Sequence, residues 1–109
     1  MTAPRLSRLR RRRVLACEVP VAAGLRARLL GLSRLEREEA GPGLLIPRCA
    51  SVHTFGMRFA LDLYFLDAGG RPLAVRRTVP PRRVVGCRGA VAVLEVPAET
   101  GGESDPGAA

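Results

Sequence analysis

Cys49, His53 and Met57 follow one another at intervals of four residues, and Cys87 stands further along the chain. Thiolate, imidazole and thioether are soft donors, a set suited to copper(I) or zinc. His53 is the single histidine, and imidazole takes or gives a proton near neutral pH. Two carboxylates sit in otherwise apolar runs: Asp62 between Leu61 and Leu63, and Glu95 within Val93-Leu94-Glu95-Val96. A carboxylate buried among leucines needs a partner or shifts its ionisation. The candidate ligand-site residues are therefore His53, Met57, Asp62 and Glu95. The candidate metal set is Cys49, His53, Met57 and Cys87.

Each candidate also has a plainer reading. His53 falls in step with Phe55 and Met57, as a core or near-core imidazole bonded to backbone would. Asp62 has Arg58 four residues back on the same face, so a structural ion pair or a cap on backbone N–H groups accounts for it. Along a straight strand the Cys49, His53 and Met57 Cα atoms stand roughly 13 Å apart in succession, too far to share one ion without a bend. No CxxC or HxxH pair anchors a metal site. An acid–base pair of His53 with Asp62 or Glu95, or of Asp62 with Glu95, requires a fold that brings them together. No nucleotide-binding loop, GxSxG elbow or HExxH motif occurs. No catalytic residue is assigned, and no cofactor is indicated.

The elements that must position these residues are mostly strands. From Ser51 to Asp67, apolar residues and His53 occupy alternate positions, the period of a half-buried strand. So long a run exceeds a usual strand, which predicts a bend or bulge near Gly56 or Ala60. Asp67-Ala68-Gly69-Gly70 is a hairpin turn. Arg71 to Val79 returns antiparallel, with Leu73 and Val75 inward. Val14 to Val19, Leu44 to Ile46, Val84-Val85 and Ala90 to Val96 are further short strands. Ala22 to Leu32 reads as one short helix with Leu25, Leu29 and Leu32 on its buried face and Arg26 and Arg28 outward. Ser33 to Gly43 is a charged loop. The predicted class is mainly β: a compact antiparallel sandwich or partly open barrel with one short N-terminal helix.

Length and charge set the outer bounds. The chain has 109 residues and a formal charge of +8, suiting one globular domain. All basic residues are Arg, and six of the eighteen lie in residues 1–13, leaving the rest of the chain about +2 by count. Residues 1–13 read as a disordered Arg-rich arm, residues 14–98 as a single β-rich domain, and residues 99–109 as a disordered tail. The arm lacks aromatics for stacking on bases, so weak, salt-sensitive anion binding is its expected property. No run approaches the ~18 apolar residues that cross a bilayer as a helix. Only Val14, Leu15 and Ala16 separate Arg13 from Cys17, too few for a secretory apolar region. The expectation is a cytoplasmic protein with reduced cysteines.

The run from Leu44 to Asp67 resembles the signature of the domain of unknown function 192 family. Phe55, Met57, Leu61, Asp62 and Phe65 match its central pattern, Gly31-Leu32 its upstream Gly-Leu, and Ala90 to Val96 its closing Leu-Glu strand. Cys49, Val52-His53-Thr54 and Cys87-Arg88-Gly89-Ala90 match a subset of the family. The resemblance implies a small β-rich domain with a short helix, and no activity. Ala60 replaces a proline common in the family. A final strand expected after Leu94-Glu95 is missing, which predicts an exposed edge or a marginal fold. The functional expectation is a non-enzymatic module that binds a small ligand, a metal or a protein partner. The alternatives are an enzyme using His53 with Asp62 or Glu95, and an accessory domain anchored to anionic surfaces.

Overall fold

The hairpin predicted at Asp67–Gly70 forms the tightest turn in the sheet that organises the molecule. Asp67 Oδ1 accepts the Gly69 and Arg71 N–H groups at 2.8 and 2.9 Å, and Gly70 takes φ +82°. These contacts, led by the Arg71 N–H, hold the Asp67 carboxyl below its usual range. The turn joins β5 (Leu61–Leu66) to β6 (Pro72–Val79). The computed structural model describes residues 2–99; the tail expected over residues 99–109 lies outside them apart from the exposed Glu99.

The remaining elements, in chain order, are helix α1 (Pro4–Ser7), β1 (Arg11–Val14), β2 (Cys17–Pro20), helix α2 (Leu25–Leu30), a 3-10 turn (Arg37–Glu39), β3 (Leu44–Pro47), β4 (Ser51–His53), β7 (Val84–Gly86) and β8 (Ala92–Pro97). Three antiparallel sheets result: β1–β2, β4–β7, and a four-stranded sheet in the order β3-β8-β5-β6. The class is mainly β, as predicted. The described residues form no closed barrel, as in a sandwich or a partly open barrel.

The four-stranded sheet has two faces, and the pleat decides which residues meet. Leu44, Ile46, Leu61, Leu63, Phe65 and Val93 point to the main core, where Val52, Leu32 and Leu6 cover them. Leu45, Leu66 and Leu94 point the other way, under Val14 and Val19 of the β1–β2 hairpin. The last strand, β8, runs between β3 and β5. The edges of this sheet among the described residues are therefore β3 and β6.

Four other expectations are corrected, and one is met. Residues 1–13 are not a disordered arm: Leu6 is 1% exposed and sits in the main core. Burying one leucine contributes roughly 1.5–3 kcal/mol. Arg5 adds hydrogen bonds from its guanidinium to the Gly31 and Ser33 carbonyls at 2.8 and 2.7 Å. The predicted strand Val14–Val19 is a hairpin turning at Leu15 and Ala16, both at positive φ (50° and 68°) without any glycine. The interruption expected near Gly56 or Ala60 is present: the strand from Ser51 ends at His53, and residues 54–60 form an irregular turn containing Gly56 at φ +84°. Leu73 and Val75 are exposed, because β6 is a sheet edge. Finally, the helix is shorter than predicted and turned over: Leu25 and Leu29 are 71% and 62% exposed, while Leu32 is buried beyond the helix end.

Candidate functional site

Glu95 follows from the pleat of β8. Its register partners are Leu44 on β3 and Leu63 on β5, so it shares the core face of the sheet with them. It is 3% exposed. The chain bends closely around it: a Cβ on Gly31 would come within 2.9 Å of Glu95 Oε1, and Gly31 has φ +52°. Only glycine combines that backbone with that approach. Burial pushes the Glu95 carboxyl up to about 7, opposed by a hydrogen bond from the Leu32 N–H. Oε1 has no partner.

Above Glu95 lies a cavity of about 200 Å³ between α2 and β4. Leu25 and Leu29 border it from the helix, Met57 and His53 from the other side, and Glu95 from the sheet. Arg28 also lines it, with its Nη2 donating to the Arg48 carbonyl at 2.8 Å and its buried Nε unpartnered. Two of the residues that line the cavity, Arg28 and Glu95, thus each carry a buried polar atom without a partner, where nearly all such atoms are ordinarily paired.

Of the candidates read from the sequence, the cavity gathers His53, Met57, Glu95 and Cys49. His53 is exposed, not near-core, because β4 pairs only with the short β7 and nothing covers its outer face. Its Nδ1 accepts the Phe55 N–H at 3.2 Å, so the neutral ring carries its proton on Nε2. Met57 is buried, and the Cys49 thiol donates to the Ser51 carbonyl at 3.1 Å. Cys87 lies outside the cavity lining, with its thiol directed to the Arg88 carbonyl. Among the described residues no three of His, Cys, Asp and Glu group as a metal site would. Of the set Cys49, His53, Met57 and Cys87, the first three line this one cavity and Cys87 does not.

Asp62 is elsewhere. It stands opposite Val96, one step from the Leu63–Glu95 pair, so it points to the opposite face from Glu95. There it serves a β-bulge: between the pairs Leu61–Val79 and Leu63–Arg76, one residue of β5 faces two of β6. Asp62 Oδ1 accepts the N–H of Thr78, a bulge residue at φ +53°, at 2.8 Å, and Oδ2 lies 3.4 Å from Arg77. The partner expected for Asp62, Arg58, pairs instead with Glu36. Asp62 thus meets neither His53 nor Glu95 in the cavity.

Several residues of the site escape a sequence reading. Arg28 looks like a solvated charge, and Leu25 and Leu29 look like core. The Gly31-Leu32 step was the one available signal. Thr54 is fully buried and anchors the turn after β4, donating to the Pro80 carbonyl and accepting the Arg83 N–H, each at 2.8 Å.

Among the described residues no helix is long and apolar enough to cross a membrane. No curated protein matches the sequence. In fold the chain is similar to a protein of unknown function from Novosphingobium aromaticivorans, with TM-score 0.59 and 20% identity over 80% of this chain and 67% of that one. It is also similar to a proposed transcription regulator from Sinorhizobium meliloti, with TM-score 0.68 and 19% identity over 87% of this chain and 83% of that one. At such identities the likeness concerns the fold alone. The model of the DUF192 family, described as uncharacterized ACR, matches residues 7–105, nearly the whole chain, and the protein belongs to that family.

Proposed function

We propose that the protein is a non-enzymatic binding module that takes a small, partly apolar molecule into the cavity over Glu95. The observation that carries this reading is the Glu95 carboxyl, almost fully buried at the cavity wall with Oε1 unpartnered. A structural carboxylate would have its hydrogen bonds made within the chain, as Asp62 does. Exposed Leu25 and Leu29 at the opening supply apolar surface where a helix would ordinarily present polar residues. The cavity is smaller than the roughly 300–1,000 Å³ of drug-sized ligand sites, which limits the occupant to a compact molecule.

A neutral probe tests the cavity apart from any question of charge. Titration with 1-hexanol is expected to give a saturable shift of the Met57 methyl resonance. Leu29→Arg, a change at an exposed position, is expected to abolish that shift while the folded spectrum persists. A Met57 resonance unmoved by the alcohol in the folded wild type overturns the reading.

A second reading is favoured by one observation: His53 and Glu95 line the same cavity. An acid–base enzyme would use Nε2 of His53 and the Glu95 carboxyl on one substrate. Turnover lost in His53→Ala, with ligand binding kept, would decide for it. Exposed Arg12 and Arg13 on β1 carry the separate proposal of weak anion binding, which should fall steeply with salt.

A further inference from the structure

We infer that Leu25, Leu29, Phe55 and Val84 form one docking surface for an acidic, amphipathic segment of a partner protein, with one apolar side chain of that segment seated in the cavity over Glu95. The seat rests on the proposed function; the surface reaches beyond it.

The four side chains are each more than half exposed, and they form a continuous strip. Leu25 and Leu29 stand one turn apart on α2 and border the cavity from one side, with His53 across it. The His53 and Phe55 rings lie 5.9 Å apart between centroids. Val84 is the register partner of His53 across the β4–β7 pair, so the two share the outer face of that sheet. Exposed apolar residues are ordinary when scattered, whereas a patch joined across several elements marks an interaction surface. Phe55 and Val84 do not line the cavity, so a small molecule held there leaves them in water.

Charge selects the partner. Residues 19–35, 40–61 and 68–94 supply α2, β4, the turn after it and β7, and they contain no Asp or Glu. Their charged side chains are all Arg. Arg28 and Arg48 flank α2: Arg28 Nη2 donates to the Arg48 carbonyl at 2.8 Å, and Arg48 Nη2 to the Ala23 carbonyl at 3.2 Å. The Arg34 N–H donates to the Gly56 carbonyl at 2.8 Å and the Arg82 N–H to the Thr54 carbonyl at 3.3 Å, which sets both residues beside the turn that carries Phe55. At the same turn, the Glu36 carboxylate is already paired with Arg58. An apolar centre with a cationic rim is the complement of a segment that carries apolar side chains among carboxylates. A second copy of the chain would set arginine against arginine. A bilayer surface is flat and would leave the recess between α2 and β4 unfilled, and the strip has one Phe and no Trp or Tyr to anchor it there. A side chain from a helix lying along the strip fills that recess.

The test is fluorescence anisotropy of the full chain with three labelled helical peptides of about 14 residues. All carry Leu at i, i+3, i+4 and i+7 among alanines, and Glu, Gln or Arg at the remaining positions. The Glu peptide is expected to bind tightest, and to weaken severalfold as salt rises from about 50 to about 500 mM. Phe55→Ser and Val84→Ser, both at exposed positions, should each weaken it about tenfold. Both should leave the 1-hexanol shift of Met57 unchanged, because neither residue lines the cavity. The inference is overturned if the Gln or Arg peptide binds as tightly as the Glu peptide, or if Phe55→Ser and Val84→Ser bind it like wild type. It is equally overturned if phosphatidylglycerol vesicles displace the peptide, or if sedimentation shows a dimer that Val84→Ser dissolves. If 1-hexanol binds while the Glu peptide does not, the cavity reading stands and this inference fails. Peptide binding without 1-hexanol binding supports the surface and overturns the cavity reading. If neither binds, both fail.

Discussion

Asp62 and Glu95 are both buried carboxylates, carried by the neighbouring strands β5 and β8 of one sheet and offset by a single residue in register. They have opposite surroundings. Asp62 is supplied by the chain itself: the Thr78 N–H bonds one oxygen and Arg77 approaches the other. Glu95 faces a cavity with one oxygen unpaired. The comparison teaches that burial alone does not distinguish two acids; the number of partners left unfilled does. A one-residue offset is enough to separate the two cases, since the pleat sends successive side chains to opposite faces.

The sharpest way to break the contrast is at Gly31. Gly31→Ala places a Cβ against Glu95 Oε1 at positive φ, and should destabilise the fold by about 4 kcal/mol, strain and overpacking together. In a Glu95→Ala background the clash disappears, and the same change should cost only about 1 kcal/mol by denaturant titration. Glu95→Gln comes next. The native carboxyl holds its proton more tightly than the unfolded chain does, so stability is highest at low pH and declines as pH rises from about 4.5 through about 7. The gap between the native and unfolded values corresponds to about 3 kcal/mol. Glu95→Gln should therefore be more stable than wild type by about that amount at pH 8 and indistinguishable from it at pH 4. Asp62→Ala orphans the Thr78 N–H and should cost about 2 kcal/mol, whereas Asp62→Asn, which keeps an acceptor, should cost about half of that. The smallest effect belongs to the rim: Leu29→Arg should change stability by less than about 0.5 kcal/mol, so any loss of ligand there reports on the cavity alone.

Much of the fold was legible. Turn chemistry located the Asp67–Gly70 hairpin, alternation located β5, and the excessive length of the Ser51–Asp67 run exposed the break near Gly56. What stayed hidden has one physical cause: a period says which residues share a face, never what that face meets. Leu25 and Leu29 share a helix face as expected, but the face borders a cavity and solvent instead of the core. His53 kept its place in the alternation and still emerged on the surface, since its strand lies in a separate two-stranded sheet. Leu6 was concealed by the arginines around it, although a single buried leucine suffices to dock so short a segment. The turn at Leu15–Ala16 offered no glycine to reveal it. Of the site, His53, Met57, Glu95 and Cys49 were legible by type. Arg28 was not, because an arginine on a helix reveals its burial only when the neighbouring segments are in place.

The position of β8 has a consequence for how the chain comes to be folded. Among the described residues, the strand lies in the interior of its sheet yet is the last strand to leave the ribosome. Until it arrives, β3 and β5 lack their shared neighbour, and each holds a row of free backbone groups on that side. The pairing of Leu44 with Glu95 spans nearly half the chain, a long-range closure of the kind that slows folding. The same late event carries the Glu95 carboxyl into place. The sheet and the cavity wall at Glu95 are therefore completed in one step, and a nascent chain stalled before residue 92 would possess neither.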